Sequence, residues 1–76
     1  MMILAKDFIR KYGNNPKYVE GFAAIHKSQL YKDKPNRWHI TQINNDEAVL
    51  RSYQGDQEVI KKIYFPDFIT DWYIGF

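Results

Sequence analysis

The chain of 76 residues contains no cysteine, only four glycines and only three prolines. Without cysteine, no disulfide can reinforce the core, so stability must come from packing or from a partner subunit. The absence of cysteine is also typical of proteins that work in a reducing compartment. We therefore expect a cytoplasmic protein.

Long apolar runs are missing as well. The apolar residues at the start of the sequence stop short of the roughly 7–15 that the core of a signal peptide needs. No stretch approaches the ~18 apolar residues of a membrane span. We therefore expect neither a signal peptide nor a membrane partner.

Patterns of residues that carry catalysis are also absent. The four glycines form no phosphate-binding pattern, and Ser28 and Ser52 lie in no nucleophile elbow. The two histidines, His26 and His39, stand far apart, and the scattered carboxylates complete no metal-ligand spacing with them. We predict that the protein is not an enzyme and has no catalytic residue, no metal and no cofactor.

Aromatic residues, by contrast, make up 17% of the chain. A chain of this length forms a single small domain, 1–76, which buries only about 60% of the surface that its unfolded form exposes. Each ring carries roughly 150–250 Å² of surface, which in sum is more than so thin a core can cover. Some tyrosines and tryptophans are therefore expected to be half exposed, as they are at protein interfaces.

The first helix is predicted over residues 2–12, because Leu4, Phe8 and Tyr12 recur every four residues and Gly13 follows. A second helix is favoured over 16–30, where apolar residues share one arc of a helical wheel. Gly21 opposes it, because glycine destabilises a helix interior. Two alternatives stay open: a hairpin between 28–31 and 37–40, or a helix that ends early and is followed by a strand.

A three-stranded antiparallel meander is predicted from residue 37 onward. Its strands cover 37–43, 48–54 and 58–65, and turns at 44–46 and at Gly55 separate them. Lys61 falls on the apolar side of the last strand and indicates a sheet edge or a side chain that reaches out to solvent. Residues 66–76 are too apolar for a free tail, and they are predicted to form a fourth strand or a helical turn starting at Pro66.

The predicted fold class is α+β, with one or two N-terminal helices followed by a three- to four-stranded antiparallel meander. The alternative is a helix followed by a small barrel, because a helix before a strongly twisted meander is similar in outline to SH3-like and Sm-like barrels. No motif of either family stands in the sequence, so this likeness carries no function.

The predicted function is that of a small non-enzymatic protein-binding module, whose partner is another protein or a second copy of the chain. Tyrosine and tryptophan are frequent anchors of protein contacts. Lysine, isoleucine, asparagine and tyrosine are frequent while alanine and arginine are sparse, which suits an AT-rich genome. We therefore expect a phage or mobile-element regulator that occludes a host protein. The predicted interface consists of Tyr53, Tyr64, Phe68, Trp72, Tyr73 and Phe76.

Nucleic-acid binding is the alternative function. The net charge of +2 favours no partner by itself, but basic residues gather in the segment 26–39. Cations there would contact phosphates, and a ring could stack on an unpaired base. A solvated loop uses the same residue types. The residues concerned are Lys27, Lys32, Lys34, Arg37 and Trp38.

Overall fold

The computed structural model describes residues 2–13 and 22–75. Within these ranges it contains six strands and two helices. In chain order they are β1 Met2–Leu4, α1 Ala5–Tyr12, β2 Ala23–His26, β3 Trp38–Ile43, β4 Glu47–Gln54, β5 Gln57–Tyr64, α2 Phe65–Asp71 and β6 Trp72–Gly75. A short 3-10 turn, Lys27–Gln29, follows β2.

The six strands form one antiparallel sheet in the order β1-β6-β2-β3-β4-β5. The predicted α+β class is confirmed, but the predicted count of three to four strands was too low. Within the described ranges β1 and β5 are not paired with each other. The sheet is therefore open, and the alternative of a closed barrel was wrong.

Helix α1 begins at Ala5 rather than at residue 2, because Met2–Leu4 form β1. The helix prediction was otherwise correct. The charges agree with the helix dipole, since Asp7 lies in the first turn and the basic residues lie in the last turn. At the end of the helix Gly13 adopts a φ of 75°, and its backbone N–H donates to the carbonyl of Ile9 at 2.7 Å.

The predicted second helix is wrong over the residues that the structure describes. Residues 23–26 form β2, and 14–21 lie outside the described ranges. The apolar residues of this segment find their neighbours across strands, because Ala24 pairs with Ile74 on one side and with Trp38 on the other. The predicted hairpin strand at 28–31 was also misplaced, since the strand that pairs with β3 lies at 23–26.

The predicted meander is confirmed as β3, β4 and β5. The turn between β3 and β4 closes when the side-chain oxygen of Asn44 accepts hydrogen bonds from the backbone N–H groups of Asp46 and Glu47, both at 2.8 Å. The turn between β4 and β5 contains Gly55 at a φ of 64°. Glycine adopts this left-handed conformation without steric cost, which is why this turn was predictable.

A β-bulge at Thr41 interrupts the pairing of β3 with β4. Ile40 pairs with Leu50, but the next pair is Gln42 with Val49, so Thr41 is the extra residue. Its hydroxyl donates to the carbonyl of Val49 at 2.9 Å. The bulge explains the imperfect alternation of this strand, because Ile40 and Ile43 both reach the core although three positions separate them.

The tail after the meander forms both of the structures proposed for it. Pro66 lies in the first turn of α2, which suits its fixed φ, and the helix buries Phe68. The chain then enters β6, which pairs with β1 and with β2. Neither described helix is long and apolar enough to span a membrane.

The core lies between the two helices and one face of the sheet, which we call the inner face; the opposite face is the outer face. It contains ten buried residues from both helices and four strands. They are Ala5, Phe8, Ala24, Ile40, Ile43, Ala48, Leu50, Phe68, Trp72 and Ile74.

The bulge makes a prediction about three isoleucines. Ile40→Val and Ile43→Val should each lower the free energy of unfolding by about 0.5–1.5 kcal/mol, because both side chains are buried. Ile60→Val is the control, since Ile60 is 52% exposed and should change stability little. Denaturant unfolding followed by circular dichroism measures all three. A negligible loss for either Ile40 or Ile43 would mean that β3 alternates regularly.

Candidate functional site

The hairpin formed by β4 and β5 presents three large, exposed side chains on the outer face of the sheet. Tyr53 is 62% exposed, Ile60 52% and Tyr64 76%. Tyr53 lies an odd number of positions from the inward-facing Ala48 and Leu50 on β4. Ile60 and Tyr64 each adjoin a β5 residue that pairs with Ala48 or Leu50, so all three side chains point to the outer face. We call Tyr53, Ile60 and Tyr64 the hairpin face.

Charged side chains lie beside the hairpin face. The guanidinium of Arg51, which stands opposite Ile60, lies 5.8 Å from the centre of the Tyr53 ring. Its Nε lies 3.9 Å from a carboxylate oxygen of Glu58. The surface therefore combines apolar area with charges of both signs, a composition compatible with a protein contact.

Strand β5 is one edge of the sheet. Over all eight of its residues it pairs with β4 in continuous register, without a bulge. In the described part of the chain no strand pairs with its other side. An edge of this length is a template for the addition of a further strand.

The structure separates the six residues of the predicted interface. Tyr53 and Tyr64 belong to the hairpin face, and Tyr73 is half buried in β6. Phe68 is fully buried and Trp72 is 3% exposed, so neither can form a contact surface. The reason is that α2 and β6 fold the apolar tail back onto the core. Phe76 lies outside the described residues.

The predicted basic set is also dispersed. Lys27 donates to the carboxylate of Asp71 at 3.1 Å, so its charge is offset within the molecule. Lys32, Lys34 and Arg37 are exposed. Trp38 is half buried on the inner face, beside the core rather than beside these three cations.

A basic depression of about 300 Å³ lies on the outer face across β3 and β4. His39 and Arg51 stand opposite each other on the two strands. The Nε of Arg51 is buried and has no hydrogen-bond partner in the described structure. The depression is lined by Arg37, His39, Arg51, Ser52 and Tyr53.

A second cleft lies at one end of the inner face, where the two tryptophans of the chain meet one lysine. The ammonium of Lys61 lies 5.5 Å from the centre of the Trp38 ring and 5.6 Å from that of Trp72. These are cation–π distances. The prediction that Lys61 marks an edge is confirmed, because β5 is an edge strand and Lys61 faces the apolar side. We call this the tryptophan cleft.

Polar side chains complete the tryptophan cleft, which has a volume of about 320 Å³. The His26 ring packs edge-on against Trp72 at 5.1 Å, and its Nδ1 accepts a hydrogen bond from the backbone N–H of Ser28 at 3.2 Å. Gln29 and Asn36 also line the cleft, and the Gln29 side-chain oxygen accepts from the Asn36 backbone N–H at 3.4 Å.

Sequence reasoning missed the tryptophan cleft. Trp38, Lys61 and Trp72 come from β3, β5 and β6, which are not neighbours in the sheet, and only the folded chain brings them together. One signal pointed toward it, namely a lysine on the apolar side of β5. No local pattern could indicate which rings that lysine contacts.

The two histidines lie on opposite faces of the sheet. His26 pairs with Trp72 on the inner face, and His39 pairs with Arg51 on the outer face. They therefore cannot act on one substrate or hold one metal together. Among residues 2–13 and 22–75 no three acidic or histidine side chains are grouped as metal ligands would be.

Comparison of the chain with protein-family models, with curated proteins and with solved structures finds no match. The function must therefore be argued from the two surfaces and the cleft described above.

The contact between Lys27 and Asp71 makes a prediction about titration. The hydrogen bond from the Lys27 ammonium, supported by its charge, holds the pKa of the Asp71 carboxyl below its usual value. Lys27→Gln should therefore raise this pKa, which carboxyl-detected NMR measures directly. Because the folded-state pKa is lowered, any stabilisation by the pair is present above the ordinary carboxyl pKa and is lost as pH falls through the lowered one.

Lys32→Gln is the matched control for this titration. Lys32 is exposed and is not among the groups that act on Asp71. The pKa of Asp71 should stay unchanged in this variant. Equal shifts in both variants would show that general charge, and not the Lys27 hydrogen bond, lowers the pKa.

Proposed function

We propose that the chain is a small non-enzymatic protein-binding module, which binds through the hairpin face and the open edge of β5. The observation that carries the proposal is that Tyr53, Ile60 and Tyr64, each more than half exposed, lie along one face of an edge hairpin. Tyrosine is enriched in protein interfaces, because it supplies a large contact area and a polar group together. Because the amino-acid composition suits an AT-rich genome, we extend the proposal to a phage or mobile-element regulator of a host protein.

A second copy of the chain is the partner that the edge fits best. If two β5 strands pair antiparallel about Ile60, then Glu58 of each copy faces Lys62 of the other. Both residues lie on the outer face, at equal distances from Ile60 along the strand. The two-fold symmetry therefore forms the favourable charge pair twice, which is the behaviour of a self-complementary interface.

The neighbouring registers lack this complementarity. A pairing centred on Lys61 would place two lysines directly opposite each other, which is unfavourable. A pairing centred on Val59 would place Glu58 opposite Ile60, and Lys62 would then stand opposite Asp56, beyond the end of the partner's β5. The register centred on Ile60 is therefore the one we expect.

The register is tested by exchanging its charges. Glu58→Lys and Lys62→Glu should each convert a dimer to a monomer, because each places two pairs of like charges across the interface. The double variant should restore the dimer, since opposite charges face each other again. Light scattering on a size-exclusion column measures the mass of all four proteins, and circular dichroism checks that each is folded.

Arg51 supplies a check on this design, because it lies near Glu58 in the same chain. Lys62→Glu does not disturb that contact and must dissociate the dimer by itself. A wild-type protein that stays monomeric at high concentration would contradict the proposed pairing of two β5 strands. Capture of a partner protein would then be compared between the wild type and the Tyr53→Ser, Tyr64→Ser double variant. Equal capture would show that the hairpin face is not the binding surface.

Single-stranded nucleic acid is the second candidate ligand, because the basic depression places Arg37, His39 and Arg51 beside the exposed ring of Tyr53. Arginine contacts phosphates, and a ring on an open sheet face can stack on an unpaired base. This arrangement differs from the predicted basic set, of which only Arg37 lies here.

Salt dependence tests the nucleic-acid candidate. Binding of a fluorescent oligothymidine, measured by anisotropy, should weaken as salt concentration rises. Arg51→Met should reduce the slope of log K against log salt by about 1, as expected for one lost phosphate contact. Arg10→Met is the control, because Arg10 is exposed on α1. Binding that ignores salt, or an equal change in both variants, would contradict the candidate.

A further inference from the structure

We propose that the tryptophan cleft binds a small ligand that carries an oxyanion, a carboxylate or a phosphate, attached to a planar apolar group. The oxyanion would pair with the ammonium of Lys61, and the planar group would lie against the half-buried Trp38. This site is separate from the hairpin face and does not depend on the proposed protein contact.

The charge of Lys61 is the first reason for this inference. In the described structure the ion pairs are Lys27 with Asp71 and Arg51 with Glu58, and neither includes Lys61. Asp71 adjoins Trp72 in the chain but is bound to Lys27. Lys61 therefore has no carboxylate partner among the described residues, and an anion in the cleft would supply one.

The position of Lys61 is the second reason. Lysine is usually a flexible side chain, and it loses conformational freedom when it binds a ligand. Here the ammonium lies within cation–π distance of both the Trp38 ring and the Trp72 ring. The Lys61 ammonium has three N–H donors. An aromatic ring attracts a cation only through its face, so the two rings do not satisfy all three donors. A cation held in this way binds an oxyanion with a smaller entropic cost.

The remaining lining decides the size and kind of ligand. A volume of about 320 Å³ lies at the lower end of the range of small-molecule sites. Gln29 and Asn36 line the cleft with two side-chain amides, whose N–H groups can donate to an oxyanion or a polar substituent. The ligand is therefore small, anionic at one end and flat at the other.

Intrinsic fluorescence provides a direct test, because the chain has two tryptophans and both line this cleft. The probes are phenyl phosphate, benzoate and benzyl alcohol, which share one ring and differ in the attached group. Benzyl alcohol is the uncharged reference. Isothermal titration calorimetry gives the same dissociation constants independently of the optical signal.

We expect saturable binding of phenyl phosphate or benzoate at least about tenfold tighter than that of benzyl alcohol, the ratio expected of one charge-assisted hydrogen bond. Tighter binding of phenyl phosphate would assign the site to phosphorylated ligands, and tighter binding of benzoate to carboxylates. Absence of saturable binding by both anions, or equal binding of the alcohol, would overturn the proposal.

Two lysines of the chain supply a matched pair of variants. Lys61→Met keeps the length of the side chain but removes the charge, and it should weaken anion binding about tenfold or more. Lys6→Met should leave binding unchanged, because Lys6 is exposed on α1 and does not line the cleft. Lys61→Arg should retain binding, since a cation remains over the rings. Equal binding by the wild type and Lys61→Met would overturn the assignment of Lys61.

Discussion

Strand β6 is the constraint on which the rest of the fold depends. Ile74 at its centre pairs with Ile3 of β1 on one side and with Ala24 of β2 on the other. Without this strand, β1 and the helix that follows it would have no hydrogen-bonded connection to the meander. The same strand carries Trp72, so the core and the tryptophan cleft share one support. Fold and cleft are thus energetically coupled, because both need β6 in register.

The elements that were predictable from sequence are those whose residues interact locally. The meander follows from alternation along β4 and from the left-handed φ that the turn requires at Gly55. Helix α1 follows from its apolar spacing. Strands β1 and β2 were missed because their apolar residues also fit a helical wheel, and only distant partners decide between the two. Cross-strand pairing with β6 overrides local propensity at Leu4 and Ala24.

The candidate surfaces were predictable only in part. Tyr53 and Tyr64 lie in the confirmed hairpin, where alternation alone places them opposite the buried residues. Phe68 and Trp72 were wrongly assigned to the interface, because an apolar tail that covers the core of its own chain has the same sequence pattern as one that binds a partner. The tryptophan cleft depends on the order of strands in the sheet, which no local spacing encodes. Composition indicated that rings would be exposed, but could not indicate which ones.

The bulge at Thr41 has a consequence for changes in chain length. If Thr41 is left out of β3, the remaining residues alternate regularly, with Ile40 and Ile43 inward and Gln42 outward between them. Thr41 therefore corresponds to a one-residue insertion that the strand accepts without exchanging its faces. Loss or gain of a residue at any regular position of β4 would instead exchange the inner and outer residues beyond that point. The sheet is thus tolerant of length variation at one site in β3 and intolerant of it in the hairpin that carries the exposed tyrosines.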